Sequence, residues 1–140
     1  PLPDEDLRFL QELDGENQYG IVAARRLADD KEGEGVGGAR FVRASSDLTM
    51  AEPAVIVSDE FQGQGLGRIL CDRLAEAALE RGILWFRCYV LSENRRVLRM
   101  LKSEFSETHL SPHGEIVTAE MSLRSKHGEK VGDRSLPSRG

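Results

Sequence analysis

The alternating glycines of one short stretch, Gln62-Gly63-Gln64-Gly65-Leu66-Gly67, have the composition of a phosphate-binding turn. A strand-like apolar run at residues 54–57 precedes the stretch, and an amphipathic segment that predicts a helix follows it. Glycines at such a turn let the backbone approach a bulky group closely, and the helix N-terminus adds unpaired N–H groups with a partial positive charge. We predict that a phosphate or pyrophosphate binds here. The alternative is a tight strand–helix turn without a ligand.

Two common phosphate-binding motifs do not fit this stretch. The dinucleotide-binding motif G-x-G-x-x-G needs its third glycine one residue later, and the P-loop needs a Lys-Ser or Lys-Thr pair that does not follow here. The pattern Gln62-x-x-Gly65-x-Gly67 instead resembles the acyl-CoA pyrophosphate loop of the GNAT superfamily of N-acetyltransferases. The order of strand, loop, helix and strand, with Asn94 in the next turn, extends the resemblance over about residues 17–123.

A narrower resemblance concerns bacterial protein-lysine acetyltransferases. Glu52 and the segment LSENRRVLRML at residues 91–101 are similar to the acetyltransferase domain of these enzymes. The resemblance implies acetyl-CoA as the acyl donor, no metal cofactor, and an amine acceptor, with a lysine side chain of a protein as the first choice. Two other functions stay open: acetylation of a small-molecule amine, and non-catalytic binding of acyl-CoA by a sensor domain.

The GNAT resemblance also implies which residues bind the cofactor. In such enzymes two strands splay apart, here residues 51–58 and 83–91, and the pantetheine arm lies between them. The pyrophosphate lies on the N–H groups of the glycine turn, where Arg68 either adds a charged contact or is only an exposed helix residue. Asn94 matches an asparagine that bonds the pantetheine arm or a nearby water, or else it bonds only backbone. The implied cofactor-binding residues are Val55, Val57, Gln62, Gly63, Gln64, Gly65, Leu66, Gly67, Arg68 and Asn94.

Glu52 is the implied catalytic base. A lysine amine is mostly protonated at neutral pH, so a base must remove a proton, directly or through water, before the nitrogen attacks the thioester. The alternative for Glu52 is a solvated carboxylate at a strand end. Many GNAT enzymes place a tyrosine on the helix after the asparagine to protonate the leaving thiolate, and residues 93–104 contain none. Tyr89 on the preceding strand is expected to be a core aromatic, so the general acid stays unassigned.

The composition indicates one globular domain. The chain has 140 residues, of which 39% are hydrophobic and 31% charged, and its formal net charge is −5. A nucleic-acid partner needs a basic surface, so the charge argues against one, whereas it is compatible with amine substrates. No apolar run approaches the roughly 20 residues that span a bilayer, and no signal-peptide pattern opens the chain. We expect neither a nucleic-acid nor a membrane partner.

The cysteines and histidines lack the spacing of metal ligands. We predict that Cys71 and Cys88 are small, inert core residues of a cytoplasmic protein, because they show no disulfide pattern. The three histidines are predicted to be surface or structural residues, so no metal site is expected.

The apolar pattern predicts the order of elements. It indicates a helix over 4–13, strands over 19–27 and 39–44 joined by a hairpin connection at 29–38, and a strand over 50–57. A helix ending at Gly82, a buried strand over 83–91, a second helix over 93–104 and an antiparallel pair at 105–110 and 116–123 follow. The expected fold is α/β (α+β), with a GNAT-like mixed, mostly antiparallel sheet, a parallel splayed strand pair and flanking helices.

The predicted domain organisation is a GNAT-like acetyltransferase domain over residues 1–123, followed by a tail. Residues 124–140 are polar and charged, and they cannot bury enough apolar surface to offset the entropy of ordering. A disordered tail or linker is therefore expected. Because the first residue is Pro rather than Met, we also expect the chain to be processed, renumbered or cut from something longer. The resemblance to acetyltransferase domains that are sometimes fused to other modules implies a longer multidomain chain as one option.

Overall fold

The computed structural model describes residues 7–26, 32–59, 62–63 and 65–124. In these residues, seven strands form a single sheet in the order β1-β2-β3-β4-β5-β7-β6, in which only β4 and β5 run parallel. The mixed, mostly antiparallel sheet confirms the predicted fold class. The elements are β1 (Leu7–Asp14), β2 (Gln18–Arg26), β3 (Glu32–Arg43), β4 (Met50–Val57), α1 (Leu66–Glu80), β5 (Trp85–Leu91), α2 (Arg95–Glu104), β6 (Thr108–His113) and β7 (Ile116–Ser122).

The helix predicted over residues 4–13 is wrong for the part that is described. Residues 7–14 form strand β1, which pairs with β2 from Leu7↔Arg25 to Asp14↔Tyr19. Leu7 is buried, and the ring of Phe9 packs under the guanidinium of Arg73 at 4.0 Å. These two apolar residues share one face of a strand, and pairing with β2 satisfies the backbone that a helix would otherwise satisfy internally.

Strand β3 is longer than predicted, because it begins at Glu32 inside the segment predicted as a connection. The glycines that suggested a loop have a packing reason instead. A Cβ atom at Gly37 would lie 3.0 Å from the carbonyl oxygen of Ile56 and 3.1 Å from the side chain of Leu66. Glycine therefore lets β4 and α1 approach this part of the strand. Residues 29–31 of the predicted connection, and the last residue of the strand predicted over 19–27, lie outside the described residues.

Helix α1 packs on β2, β3 and β4, and its two ends are set by glycines. Leu66, Leu70 and Leu74 are almost fully buried. At the C-terminal end Gly82, predicted as the cap, has φ +82°, and its N–H donates to the carbonyl of Leu79 while that of Ile83 donates to Ala78. This pair of bonds is a Schellman motif, which ends the helix and turns the chain into β5.

The remaining elements agree with the predicted order. Strands β2 and β4 lie where they were predicted, and β6 and β7 form the predicted closing antiparallel pair around Gly114, whose φ is +66°. Of the predicted tail, Arg124 is exposed and residues 125–140 lie outside the described residues. None of the helices in the described part of the chain has the length and apolar character to cross a membrane.

The sheet has two unlike faces. Ala51 and Phe86 point to the side on which α1 and α2 pack, which we call the helix face. Side chains alternate along a strand, so Arg40, Glu52 and Tyr89 point to the opposite side. We call that side the open face, because no helix among the described residues covers it.

Candidate functional site

The parallel strands β4 and β5 separate soon after they begin. They pair at Met50↔Trp85 and Ala51↔Phe86, and no further pair follows. From Glu52 onward β4 therefore has only β3 as a neighbour, which suits Pro53, since a proline cannot donate to a ladder. This divergence matches the splayed strand pair that the sequence predicted.

A cleft of about 180 Å³ opens between the diverging strands on the helix face. Its lining is almost entirely apolar, so it suits an extended, uncharged arm better than a charged ligand. The lining residues include Pro53 and Val55 from β4, Phe86 and Cys88 from β5, Cys71 and Leu74 from α1, and Val97, Met100 and Leu101 from α2.

Glu52 is the first residue of β4 beyond the last β4–β5 pair, and it is exposed on the open face. Its carboxylate is close enough to Cys88, on the neighbouring strand, to influence that thiol. Burial first, and then the charge of Glu52, raise the pKa of Cys88 to about 11. The candidate base therefore lies where the two strands diverge, near Cys88 of the cleft, and its side chain is exposed to solvent on the open face.

The glycine turn at the end of β4 presents unpaired N–H groups. Gly65 is the N-cap residue of α1 with φ +92°, and it has no side chain to cap the helix. The first intrahelical bond runs from the Ile69 N–H to the Gly65 carbonyl, at 3.1 Å. The N–H groups of Leu66, Gly67 and Arg68 therefore have no acceptor within the helix.

The space around the turn is open, and no carboxylate lies in the first turn of α1. A Cβ atom at Gly63 or Gly65 would meet no described atom within 4 Å, and both glycines have positive φ. Their backbone conformation therefore favours glycine, and no described atom occupies the space that a Cβ atom would take. Such a helix N-terminus favours an anion such as a phosphate.

Two predicted cofactor residues at the turn, Gln62 and Arg68, also make contacts within the protein. The Gln62 side-chain amide donates to the Val57 carbonyl and to the Asp59 carboxylate, both at 3.3 Å, so it anchors the turn to the end of β4. The exposed Arg68 has its Nε atom 3.9 Å from the carboxylate of Glu104, which links the first turn of α1 to the last turn of α2.

Asn94 is the N-cap of α2, and its Oδ1 atom accepts a hydrogen bond from the Val97 N–H at 3.3 Å. Because β4 and β5 are parallel, the glycine turn and Asn94 lie at the same end of the cleft. Val55 lines the cleft on β4, and Val57 and the turn follow it along the same strand, while the side chain of Glu52 points to the open face. Asn94 follows the end of β5, the other strand beside the cleft. Gln64 lies outside the described residues.

Sequence reasoning missed the side chains of β5. The run over residues 83–91 was predicted as a strand buried on both faces, but Tyr89 is 57% exposed and is not a core aromatic. Arg87 donates from its Nε atom to Glu120 at 2.8 Å, and this bond raises the pKa of Arg87. Cys88, expected to be buried, is half-buried and lines the cleft. The alternation of Arg87 and Tyr89 with apolar residues was the available signal.

Other titratable groups do not converge. Among the described residues, no group of three or more His, Cys, Asp or Glu side chains could hold a metal ion. His109 contacts Glu107 at 3.1 Å and packs near Trp85, with the ring centroids 5.9 Å apart. Cys71 is buried, and neither it nor Cys88 forms a disulfide.

Comparisons with known proteins agree on one family. Residues 2–105 match the family described as Acetyltransferase (GNAT) family. The acetyltransferase Pat of Mycolicibacterium smegmatis is 32% identical over 95 residues, which cover 68% of this chain and 27% of that protein. This chain therefore spans about a quarter of the length of that curated relative.

Solved structures share the fold. The GNAT domain of S. lividans PAT superposes with a TM-score of 0.62 at 24% identity, over 76% of this chain and 61% of that one. The structure of yncA from Salmonella typhimurium with its cofactor acetyl-CoA has a TM-score of 0.58 at 21% identity, over 77% of this chain and 66% of that one.

Proposed function

Because this chain belongs to the acetyltransferase (GNAT) family, a family of acyl-CoA-dependent acyltransferases, we propose that it transfers the acetyl group of acetyl-CoA to a primary amine. One observation carries the proposal more than any other. The strands β4 and β5 diverge immediately before Glu52, so an exposed carboxylate on the open face lies beside the point where an apolar cleft, suited to the arm of a thioester, opens on the helix face. The family's use of acetyl-CoA, with which one structural neighbour was solved, supports the choice of donor.

The two substrates would approach Glu52 from opposite sides of the sheet. The pantetheine arm would lie in the apolar cleft on the helix face, along Val55 and Val57, and the pyrophosphate on the N–H groups of the glycine turn. The acceptor would approach from the open face, where no helix among the described residues covers Glu52. The thioester would then lie between the two, close to the carboxylate.

Glu52 would act as the general base. Its carboxylate takes a proton from the ammonium group of the acceptor, directly or through a water molecule, and the neutral nitrogen attacks the thioester carbonyl carbon. Backbone N–H groups of β4 can stabilise the oxyanion that forms. The C–S bond then breaks and CoA leaves as a thiolate. The nitrogen, positively charged since its attack, loses a second proton to solvent as the amide forms, and the thiolate takes one proton from solvent.

We favour a lysine side chain of a protein as the acceptor. The relative from M. smegmatis is named acetyltransferase Pat, and a PAT domain is among the structural neighbours. The exposure of Glu52 supports this choice, because a lysine side chain that protrudes from a folded protein reaches an exposed carboxylate without entering a closed pocket.

The test replaces Glu52 with glutamine, which keeps the size and removes the base. We expect Glu52→Gln to lower kcat for lysine peptides by about 100-fold or more at neutral pH. The residual rate should rise with pH as more of the amine loses its proton, while the dissociation constant for acetyl-CoA stays close to that of the wild type. Initial rates across a pH series and titration calorimetry measure both quantities.

Glu115→Gln is the matched control, since Glu115 is an exposed carboxylate in the turn between β6 and β7. Wild-type activity of Glu52→Gln at every pH would exclude Glu52 as the base. Tight binding of acetyl-CoA by the wild type without turnover across a broad panel of amines would instead identify a sensor domain.

A further inference from the structure

Exposed apolar side chains concentrate on the open face. Eight large apolar residues are exposed in the described part of the chain. The strand register places six of them on the open face. A face that carries this many exposed apolar side chains is a candidate interaction surface. The six are Leu13, Val42, Ile56, Tyr89, Leu91 and Ile116.

A hollow of about 470 Å³ lies in the open face over strands β1 to β4. Gly20 and Gly38 form part of its floor, and the apolar side chains of Leu13, Val22 and Ile56 line its walls. The glycines leave room that side chains would otherwise fill. At Gly38 the packing also favours glycine, because a Cβ atom there would lie 3.2 Å from the carbonyl oxygen of Ile21.

Arg40 is a cation within this apolar hollow. Arg40 pairs with Ala54, which follows Glu52 by two residues on β4. The side chain of Arg40 is exposed. No ion pair joins its guanidinium to another residue in the described ranges. Glu12, at the β1 side of the hollow, is the carboxylate among its lining residues.

We propose that this hollow docks the segment of an acceptor protein that surrounds its lysine, with an apolar side chain in the hollow and an acidic side chain on Arg40. The inference rests on the proposed function and names the kind of acceptor it would take. Two observations select this occupant. The charge of Arg40 attracts a carboxylate, and Ala54 and Ile56 make the hollow continuous with the strand that carries Glu52.

The register gives the position of the acidic residue. Arg40 is the diagonal neighbour of Glu52, and such neighbours are about 7 Å apart in an antiparallel pair. In an extended peptide, side chains two residues apart point the same way and are also about 7 Å apart. A lysine directed at Glu52 therefore places the residue two positions away from it at Arg40.

The experiment measures acetylation of blocked heptapeptides with one central lysine in a glycine-serine background. Glutamate, arginine or leucine is introduced singly at each other position, and kcat/KM is determined by mass spectrometry. We expect the wild type to prefer glutamate over arginine two positions from the lysine by about threefold to fivefold, the range of an exposed ion pair.

Charge reversal at the protein side gives the decisive comparison. In Arg40→Glu the preference at that position should invert, so that the arginine peptide becomes the better substrate by a similar factor. Arg124→Glu is the control, because Arg124 is exposed after the end of β7 and outside the hollow. It should keep the wild-type preference. Titration with acetyl-CoA shows that each variant retains a folded cofactor site.

The apolar part of the surface is tested in the same way. Ile56 is 73% exposed and Leu48, in the loop before β4, is 62% exposed, so replacing either costs little folding energy. Ile56→Ser should lower kcat/KM for leucine-containing peptides by about threefold or more, whereas Leu48→Ser should not.

The outcomes separate this inference from the proposed function. If the wild type acetylates blocked lysine but shows no charge preference, or if Arg40→Glu leaves the preference unchanged, the docking surface is overturned while the acetyltransferase stands. If no lysine acceptor is acetylated, the lysine proposal fails, and the docking surface with it. A wild-type dimer that Ile56→Ser dissociates, seen by light scattering, would assign the hollow to a second copy of the chain and also overturn the proposal.

Discussion

At the scale of a single residue, the reactivity of the Cys88 thiol is a measurable property of the cleft. The thiol is half-buried among the cleft-lining side chains, and burial together with the charge of Glu52 raises its pKa to about 11. The neutral thiol therefore persists at pH 7 to 9 and ionises only as the pH rises towards that value. Only the thiolate is alkylated.

We predict that iodoacetamide alkylates Cys88 at pH 8 at least about tenfold more slowly than it alkylates a free cysteine, because the thiolate fraction falls tenfold per pKa unit. The rate should increase steeply with pH. Acetyl-CoA should slow the reaction further by filling the cleft, and Glu52→Gln should speed it by removing a negative charge that raises the pKa. Peptide mass spectrometry distinguishes Cys88 from the buried Cys71. Labelling at the rate of a free thiol, with no effect of acetyl-CoA, would contradict this position for the thiol.

The two ends of α1 allow a matched comparison at the scale of elements. Gly65 precedes the helix with φ +92° and Gly82 follows it with φ +82°. An alanine at either position is strained by about 1–2 kcal/mol, and a Cβ atom at either would meet no described atom within 4 Å. Gly65→Ala and Gly82→Ala should therefore lower the free energy of unfolding by similar amounts in urea denaturation.

The two variants should differ in cofactor binding. Gly65 belongs to the turn whose N–H groups face open space, whereas Gly82 lies at the opposite end of the helix, about 22 Å away for a helix of this length. We expect Gly65→Ala to weaken acetyl-CoA binding in titration calorimetry and Gly82→Ala to leave it unchanged. Equal affinities would show that the pyrophosphate does not depend on the glycine turn.

Local signals located most elements, but tertiary contacts decided the others. The glycine turn and the helix end at Gly82 could be located because their neighbours in sequence are also their neighbours in space, whereas Glu52 was implied by the family resemblance and its role stays a prediction. The apolar residues of 7–13 fit helical spacing and strand alternation alike, and only pairing with β2 selects the strand. The glycines of β3 indicated a loop because their reason, the close approach of Leu66 to Gly37, lies far along the chain. Tyr89 was missed because an apolar run does not show that a splayed strand has one solvent-exposed face.

At the scale of the whole molecule, the two proposed substrates would reach Glu52 from opposite faces of the sheet. Both helices pack on one face of the sheet with the cleft beneath them, while the described residues leave the other face without a helix. Arg43 connects three segments that are distant in sequence. Its guanidinium donates to the carbonyls of Glu16, Leu48 and Arg81 at 2.6 to 2.8 Å. We expect a rigid framework of this kind to hold the two proposed substrates in position on the two faces.

Access from two faces predicts the kinetic mechanism. In the proposed mechanism acetyl-CoA and the amine would occupy different faces, so both would bind before the chemical step, and double-reciprocal plots of initial rates should intersect. The described lining of the cleft offers only thiols as nucleophiles, and at pH 7 the thiol of Cys88 is neutral while Cys71 is buried. Incubation with acetyl-CoA alone should therefore leave the protein mass unchanged. Parallel plots together with an acetyl group on the isolated protein would instead show that a cleft thiol carries the acyl group between the two faces.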